Sequence, residues 1–330
     1  MNFADLSDKW HHSICRYLGL DSDTYFYFGV MPGVCREVVG RRDFMYTNPQ
    51  CFNSKMVYSW TEYHHKKIDD SKYVDSYFGT CPFLWEVGAL ASKNNYEPNG
   101  SLFFLPRDDQ VTIRDSDYTK IQKIIDEAPR PATFLLPWRS CDIWKSWDKI
   151  KLGGDCRFIQ MKDPVTRQFT LAEAFLQHEF VYIPWPGTDM YYSEFLDKNT
   201  IIYDDITMYR TKTSEETERD EKGSVLRFLK WGYDYLNDVQ KEYFHWTEKW
   251  NDIRVQDRKF LAQKMLGLEV LKSPASLHED LTNRGFLQHE HHYNQFKNYQ
   301  YDYHTSYEWL RERVDNYKPS DYCSKIYSAL

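Results

Sequence analysis

Between residues 101 and 203 the chain alternates short apolar runs with stretches whose apolar positions recur every three or four residues. The runs at 101–105, 132–136, 157–161, 180–183 and 200–203 are brief and rich in Phe, Leu, Ile, Val and Tyr. That pattern predicts strands. Between them, 118–128 places Ile121, Ile124, Ile125 and Ala128 on one helical face. The stretches 141–150, 170–177 and 188–196 are also predicted as helices. Thr170 with Glu173 three residues on has the form of a capping box, which sets the predicted helix start at Thr170. Strands recurring every 20 to 35 residues with helices between them have crossover spacing. The expected fold class is therefore α/β, a parallel sheet with helices on both faces.

The flanks differ. The first hundred residues predict a strand over 24–30, short strands at 43–46, 56–58 and 74–78, and a helix over 84–93. These fit another α/β domain. The polar stretch 94–100 has linker composition and marks the boundary. A polar run at 211–223 reads as an exposed loop, and helices are expected over 225–250, 257–266 and from Ser273 and Pro274, with Pro in the first turn. The expected division is an N-terminal α/β domain over 1–96, a Rossmann-like domain over 97–212 and a helical C-terminal region over 213–330 that packs back on both.

The net charge of -7 argues against a protein that coats nucleic acid, which needs a broad basic face. A local basic cluster exists at Arg36, Arg41 and Arg42. Aromatic residues make up 17% of the chain, enough to line a site for a flat ligand as well as a core. No run of about 18 apolar residues occurs, so no membrane span is expected. The first residues lack the basic and apolar regions of a signal peptide. The 7 cysteines are scattered and form no C-x-x-C pair, the usage of reduced thiols in a cytoplasmic protein.

Ligands of parallel α/β sheets sit at the carboxyl ends of the strands. The residues there are Arg107 after the first strand, Trp138 and Arg139 after the second, Lys162 after the third, and Gly187 and Thr188 after the fourth. A Gly-Thr pair opening a helix offers unpaired backbone N–H groups and the positive end of the helix dipole, which suits a phosphate. Arg adds a planar fork matched to phosphate oxygens. The glycine fingerprints of dinucleotide oxidoreductases and P-loop nucleotidases are absent, as is the G-x-S-x-G elbow of hydrolases. Asp21 with Asp23, and Asp115 with Asp117, match D-x-D but read as caps. His289 and His292 are spaced i, i+3 with no completing ligand in sequence, so no metal is expected.

Five segments, at 100–106, 134–142, 180–188, 195–201 and 261–277, carry a resemblance. Their order over about 101–281 resembles the bacterial capsule and surface-polysaccharide glycosyltransferases of the GT-B type. Gly187 and Thr188 match that family's Gly-Thr directly, and Arg107 and Trp138 match by position. Pro184, Trp185 and Pro186 stand where the family has Ser-Asn-Ser, and Asp189 where it commonly has His. The resemblance implies two Rossmann-like domains facing a cleft and transfer of a sugar from a nucleotide-sugar to a hydroxyl acceptor, a glycan. It implies no cofactor beyond the nucleotide-sugar itself. Arg107, Trp138, Arg139, Lys162, Gly187, Thr188 and Glu194 would bind the donor, with Arg107 and Lys162 offsetting charge on the leaving nucleotide and Glu194 reaching toward the ribose. The catalytic base would come from His11, His12, Asp43 or Glu62. An alternative acceptor is a hydroxylated base in DNA, as with phage DNA glycosyltransferases, and Arg36, Arg41 and Arg42 would then face it. A non-catalytic binding protein that keeps the fold is the alternative that Pro184, Trp185 and Pro186 support.

Overall fold

The computed structural model describes residues 4–21, 24, 29–30, 56–60, 75–104, 115–136, 150–161, 163, 165–183, 188–202, 255–287 and 303–317. The chain divides into two units. The first comprises Met1–Tyr96, Pro164–Glu173 and Arg254–Leu330, and the second Glu97–Asp163 and Ala174–Ile253.

The second unit holds a five-stranded parallel sheet made of β4 (Ser101–Phe104), β5 (Ala132–Leu136), β6 (Cys156–Gln160), β7 (Phe180–Ile183) and β8 (Asn199–Ile202). All five coincide with predicted strands to within one residue. Their order is β6-β5-β4-β7-β8. The chain therefore builds outward from β4 to one edge, returns to the other side of β4 and builds to the opposite edge. That is the doubly wound order compatible with a Rossmann-like fold. The central strand β4 is buried along its whole length, as a strand covered on both faces must be.

Alternation along β4 sorts the two faces. Phe103 pairs in register with Phe134 on β5 and Tyr182 on β7. The three rings stack side by side, with centroids 4.8 Å and 4.3 Å from Phe103. Ile121 and Ile125 of α3 (Asp115–Glu127), with Ala128 just after it, belong to the same core cluster. On the opposite face Phe104 lies 5.4 Å from Phe175 of α4 (Arg167–Gln177), and Phe175 meets Tyr192 of α5 (Thr188–Phe195) edge-on. One correction concerns α4. It begins three residues before the expected start, and the Thr170 N–H donates to the Thr166 carbonyl at 2.8 Å, so Thr170 lies inside the helix and no capping box forms. Arg167 and Gln168 are good helix formers and carry the helix backward. The Asp115–Asp117 pair occupies the first turn of α3, where the dipole favours acids.

The first unit contains a three-stranded parallel sheet of β1 (Gly29–Val30), β2 (Met56–Ser59) and β3 (Asp75–Phe78), in that order. Its helices are α1 (Ala4–Tyr17), α2 (Pro82–Lys93), α6 (Val255–Met265), α7 (Pro274–Asn283) and α8 (Tyr303–Asp315). Helix α2 is buried at every position from Pro82 to Leu90, the mark of a central helix. Gly88 lets α8 approach it closely: a Cβ there would lie 2.7 Å from the Ser306 carbonyl oxygen, while Ser306 Oγ donates to the Trp85 carbonyl at 2.7 Å. Ser273 caps α7 as expected, accepting from the Ser276 N–H at 3.3 Å with Pro274 behind it. Near the carboxyl ends of β2 and β3 the turn after α6 fits against the backbone. Cys81 N–H donates to the Leu266 carbonyl and Thr80 Oγ1 to the Gly267 carbonyl, both at 2.9 Å.

Candidate functional site

The strand order reverses between β4 and β7, which are neighbours in the sheet but far apart in sequence. At such a switch point the two outgoing connections leave on opposite faces. A crevice opens between them at the carboxyl ends, where ligands of these sheets bind. β4 ends at Phe104 and β7 at Ile183. Helix α5 begins at Thr188, five residues after Ile183, so its amino terminus belongs to the connection that leaves β7 at this edge. Thr188 is half-buried at the first helical position. Its neighbour Asp189 puts an acid in the first turn, which the dipole favours and which competes with any bound anion.

The other predicted donor residues distribute unevenly. Glu194 is buried at 3% exposure and sits near the far end of α5. Six residues at about 1.5 Å rise put it roughly 9 Å along the axis from Thr188. Its neighbour Ser193 accepts from Thr200 Oγ1 at 2.7 Å, next to the start of β8. The structure therefore does not bring Glu194 to the same edge as Thr188, because a helix packed antiparallel to its strand returns its carboxyl end to the amino edge of the sheet. Arg107, Trp138, Arg139, Lys162 and Gly187 lie outside the described residues, as do Arg36, Arg41, Arg42, Asp43 and Glu62. His11 and His12 lie on α1 and are half-buried. Their rings meet edge-on at 5.3 Å, and His11 Nε2 is 3.6 Å from Cys15 Sγ one turn on.

Sequence reasoning missed a buried ionic cluster in the first unit. Glu86 is fully buried in the middle of α2. Its Oε1 accepts from Arg16 Nε at 3.0 Å and also from Arg16 Nη2, and its Oε2 accepts from the Tyr303 hydroxyl at 2.5 Å. Arg16 Nη1 donates to the Val165 carbonyl at 3.0 Å. Burial, reinforced by the nearby carboxylate, pushes the Tyr303 phenol well above its ordinary value. Burial works against the Arg16 charge, but Glu86 and Tyr303 outweigh it and the guanidinium is held above its ordinary value. The detectable signal was Glu86 itself, a lone acid within the apolar run from Phe83 to Leu90. The cluster is closed by its own partners and serves to join α1, α2 and α8.

Among the described residues no group of three or more His, Cys, Asp or Glu is placed to hold a metal ion, and no helix is long and apolar enough to cross a membrane. His289 and His292 lie outside the described residues. Compared with protein-family models, curated proteins and solved structures, the chain matches none of them.

Proposed function

We propose that the second unit binds a nucleotide by its phosphates at the switch point between β4 and β7, and that the protein is a glycosyltransferase using a nucleotide-sugar donor. The observation that carries the binding is the reversal of strand order with the Thr188 helix start on the connection that leaves it. Backbone N–H groups of that first turn and the Thr188 hydroxyl would donate to phosphate oxygens. Arg107, Arg139 and Lys162 follow β4, β5 and β6 in sequence and would supply cationic charge to offset the repulsion between Asp189 and a phosphate. Trp138 would stack on the base or the sugar. The sugar-transfer reading adds the chemistry: the bond from the anomeric carbon to the phosphate oxygen breaks, a bond to the acceptor oxygen forms, and the acceptor hydroxyl loses its proton. Cations at the diphosphate stabilise the charge that develops on the leaving nucleotide, often the largest catalytic contribution.

A thermal-shift series with UDP, GDP, CMP and TDP and their sugars tests this reading. A nucleotide present at 100 times its Kd adds about 2.7 kcal/mol. For a unit of this size that raises Tm by about 5–11 °C. Thr188→Ala removes one charge-assisted hydrogen bond and should weaken the effective nucleotide by about tenfold or more. No shift with any of these ligands would overturn the proposal. Binding without release of free nucleotide in the presence of glycan acceptors would leave the protein a binder and not a transferase.

A further inference from the structure

The turn that joins α4 to β7 is held by a hydrogen-bond chain with a single direction. His178 is 1% exposed. Its Nδ1 lies 2.6 Å from the Ala174 carbonyl oxygen and its Nε2 2.7 Å from Thr133 Oγ1. A carbonyl only accepts, so Nδ1 carries the hydrogen. Arg157 Nε, which only donates, reaches the same Thr133 Oγ1 at 2.7 Å. With the ring neutral and its hydrogen on Nδ1, Nε2 accepts the one hydrogen of the Thr133 hydroxyl, whose oxygen accepts from Arg157. The donations run from Arg157 to Thr133, from Thr133 to His178 and from His178 to the Ala174 carbonyl, with every hydrogen used once.

This chain sits where five strands are tied together. Arg157 Nη2 donates to Gln177 Oε1 at 2.8 Å. Asn99 N–H donates to the Gln177 carbonyl, and Asn199 N–H to the Glu179 carbonyl, both at 2.9 Å. Phe180 N–H donates to the Gly100 carbonyl at 3.1 Å. Residues 177–180 thus link the amino ends of β4, β5, β6 and β8 to the start of β7. We infer that His178 is a proton-controlled clasp on this edge: neutral, it locks the turn before β7; charged, it releases it.

A second proton would make Nε2 a donor facing a hydroxyl that already accepts from Arg157, and the Thr133 hydrogen would lose its acceptor. The charged groups facing the ring oppose that proton. Arg157 on β6 and Lys198 before β8 are both cations. The adjacent carboxylate, Glu179, is exposed and accepts from Asn199 Nδ2 at 3.3 Å. Burial, helped by the two cations, lowers the His178 pKa, and only the Ala174 carbonyl pulls the other way. The unfolded chain takes up this proton near pH 6.5 and the folded chain resists it. Stability from this group is therefore complete above about pH 6.5 and declines as pH falls below it. The inference stands whether or not a nucleotide binds.

The experiment pairs unfolding with NMR on the full chain. His178→Gln keeps an acceptor for Thr133 and cannot titrate. Between pH 7.5 and 5.5 the Tm of the unsubstituted protein should fall further than that of His178→Gln, by up to about 3–5 °C. Imidazole nitrogen shifts should report the Nδ1–H tautomer at neutral pH, with the ring staying neutral to lower pH than an ordinary imidazole. Equal pH dependence of the two proteins, an Nε2–H tautomer, or a ring that charges at or above the ordinary value would each overturn the clasp. Should His178→Gln fail to fold, the tautomer and titration of the unsubstituted protein decide the question alone.

Discussion

Arg16→Met is the sharpest probe of the first unit. The substitution keeps a long apolar stem but removes the only cation that the Glu86 carboxylate touches among the described residues. Glu86 has no side-chain exposure, so water cannot replace the guanidinium without opening the contact between α1 and α2. Breaking a buried pair by deleting one partner costs about 3–5 kcal/mol, because the remaining charge stays desolvated. The Tyr303 hydroxyl still donates to Oε2 and holds the loss to that range. At about 2–4 °C per kcal/mol, Tm should fall by about 6–20 °C. Differential scanning calorimetry at pH 7, with near-ultraviolet circular dichroism following the first unit, measures it. Trp10, Trp60 and Trp85 are suited to the optical signal, since each is at most 1% exposed. Restoring an apolar core with Arg16→Met and Glu86→Leu together should recover much of the loss, because a satisfied ion pair is worth little more than apolar packing of similar volume. A single variant within 1 °C of the parent would refute the reasoning and mean that the carboxylate is hydrated.

Two further substitutions isolate single contributions. Tyr303→Phe removes a hydrogen bond to a charged acceptor and should cost about 1.5–3 kcal/mol in urea unfolding. Because the folded phenol keeps its proton beyond the ordinary value, this group's stabilisation is complete below about pH 10 and is lost as pH rises above it, so the variant should unfold with a flatter alkaline limb. Gly267 and Gly285 share a positive φ, +69° and +75°, yet differ in surroundings. A Cβ at Gly267 would stand 2.4 Å from the backbone oxygens of Trp60 and Gly79, whereas at Gly285 nothing lies within 4 Å. Gly285→Ala should cost only the left-handed penalty of about 1–2 kcal/mol, and Gly267→Ala clearly more. Equal midpoints in denaturant would contradict the close approach.

The apolar periodicity was enough to find the strands of the second unit, since each is a short run bounded by turn residues. It found α2, α3, α5, α6 and α7 for similar reasons. It missed α1, and it placed α8 only within the broad helical region 213–330 without giving its bounds. The buried stripe of α8 runs through Tyr303, Ser306 and Leu310, and that of α1 through Trp10, Ser13, Ile14 and Tyr17. A serine in the buried stripe breaks the pattern that periodicity reads. The capping box at Thr170 misled because the same residues are compatible with a helix interior once tertiary packing extends the helix backward. Of the proposed site, Thr188 was legible as a helix start after a strand. Glu194 was legible as lying nearly two turns into that helix, but which edge of the sheet it stands at depends on the way the helix runs against the sheet.

The sequence alone located the five strands and the helices α3, α4 and α5 among the described residues of 101–202, because side-chain period is a local property that each segment carries with it. Which strands become neighbours is not local. The order β6-β5-β4-β7-β8, and with it the switch point beside Thr188, is decided by pairing between segments up to 79 residues apart, such as Ser101 with Phe180. The same holds for charge. Glu86 could be seen as a lone acid in an apolar helix, but its partners stand 70 and 217 residues away. Burial chose them, because a desolvated carboxylate is tolerated only where the folded chain delivers both a cation and a donor to it.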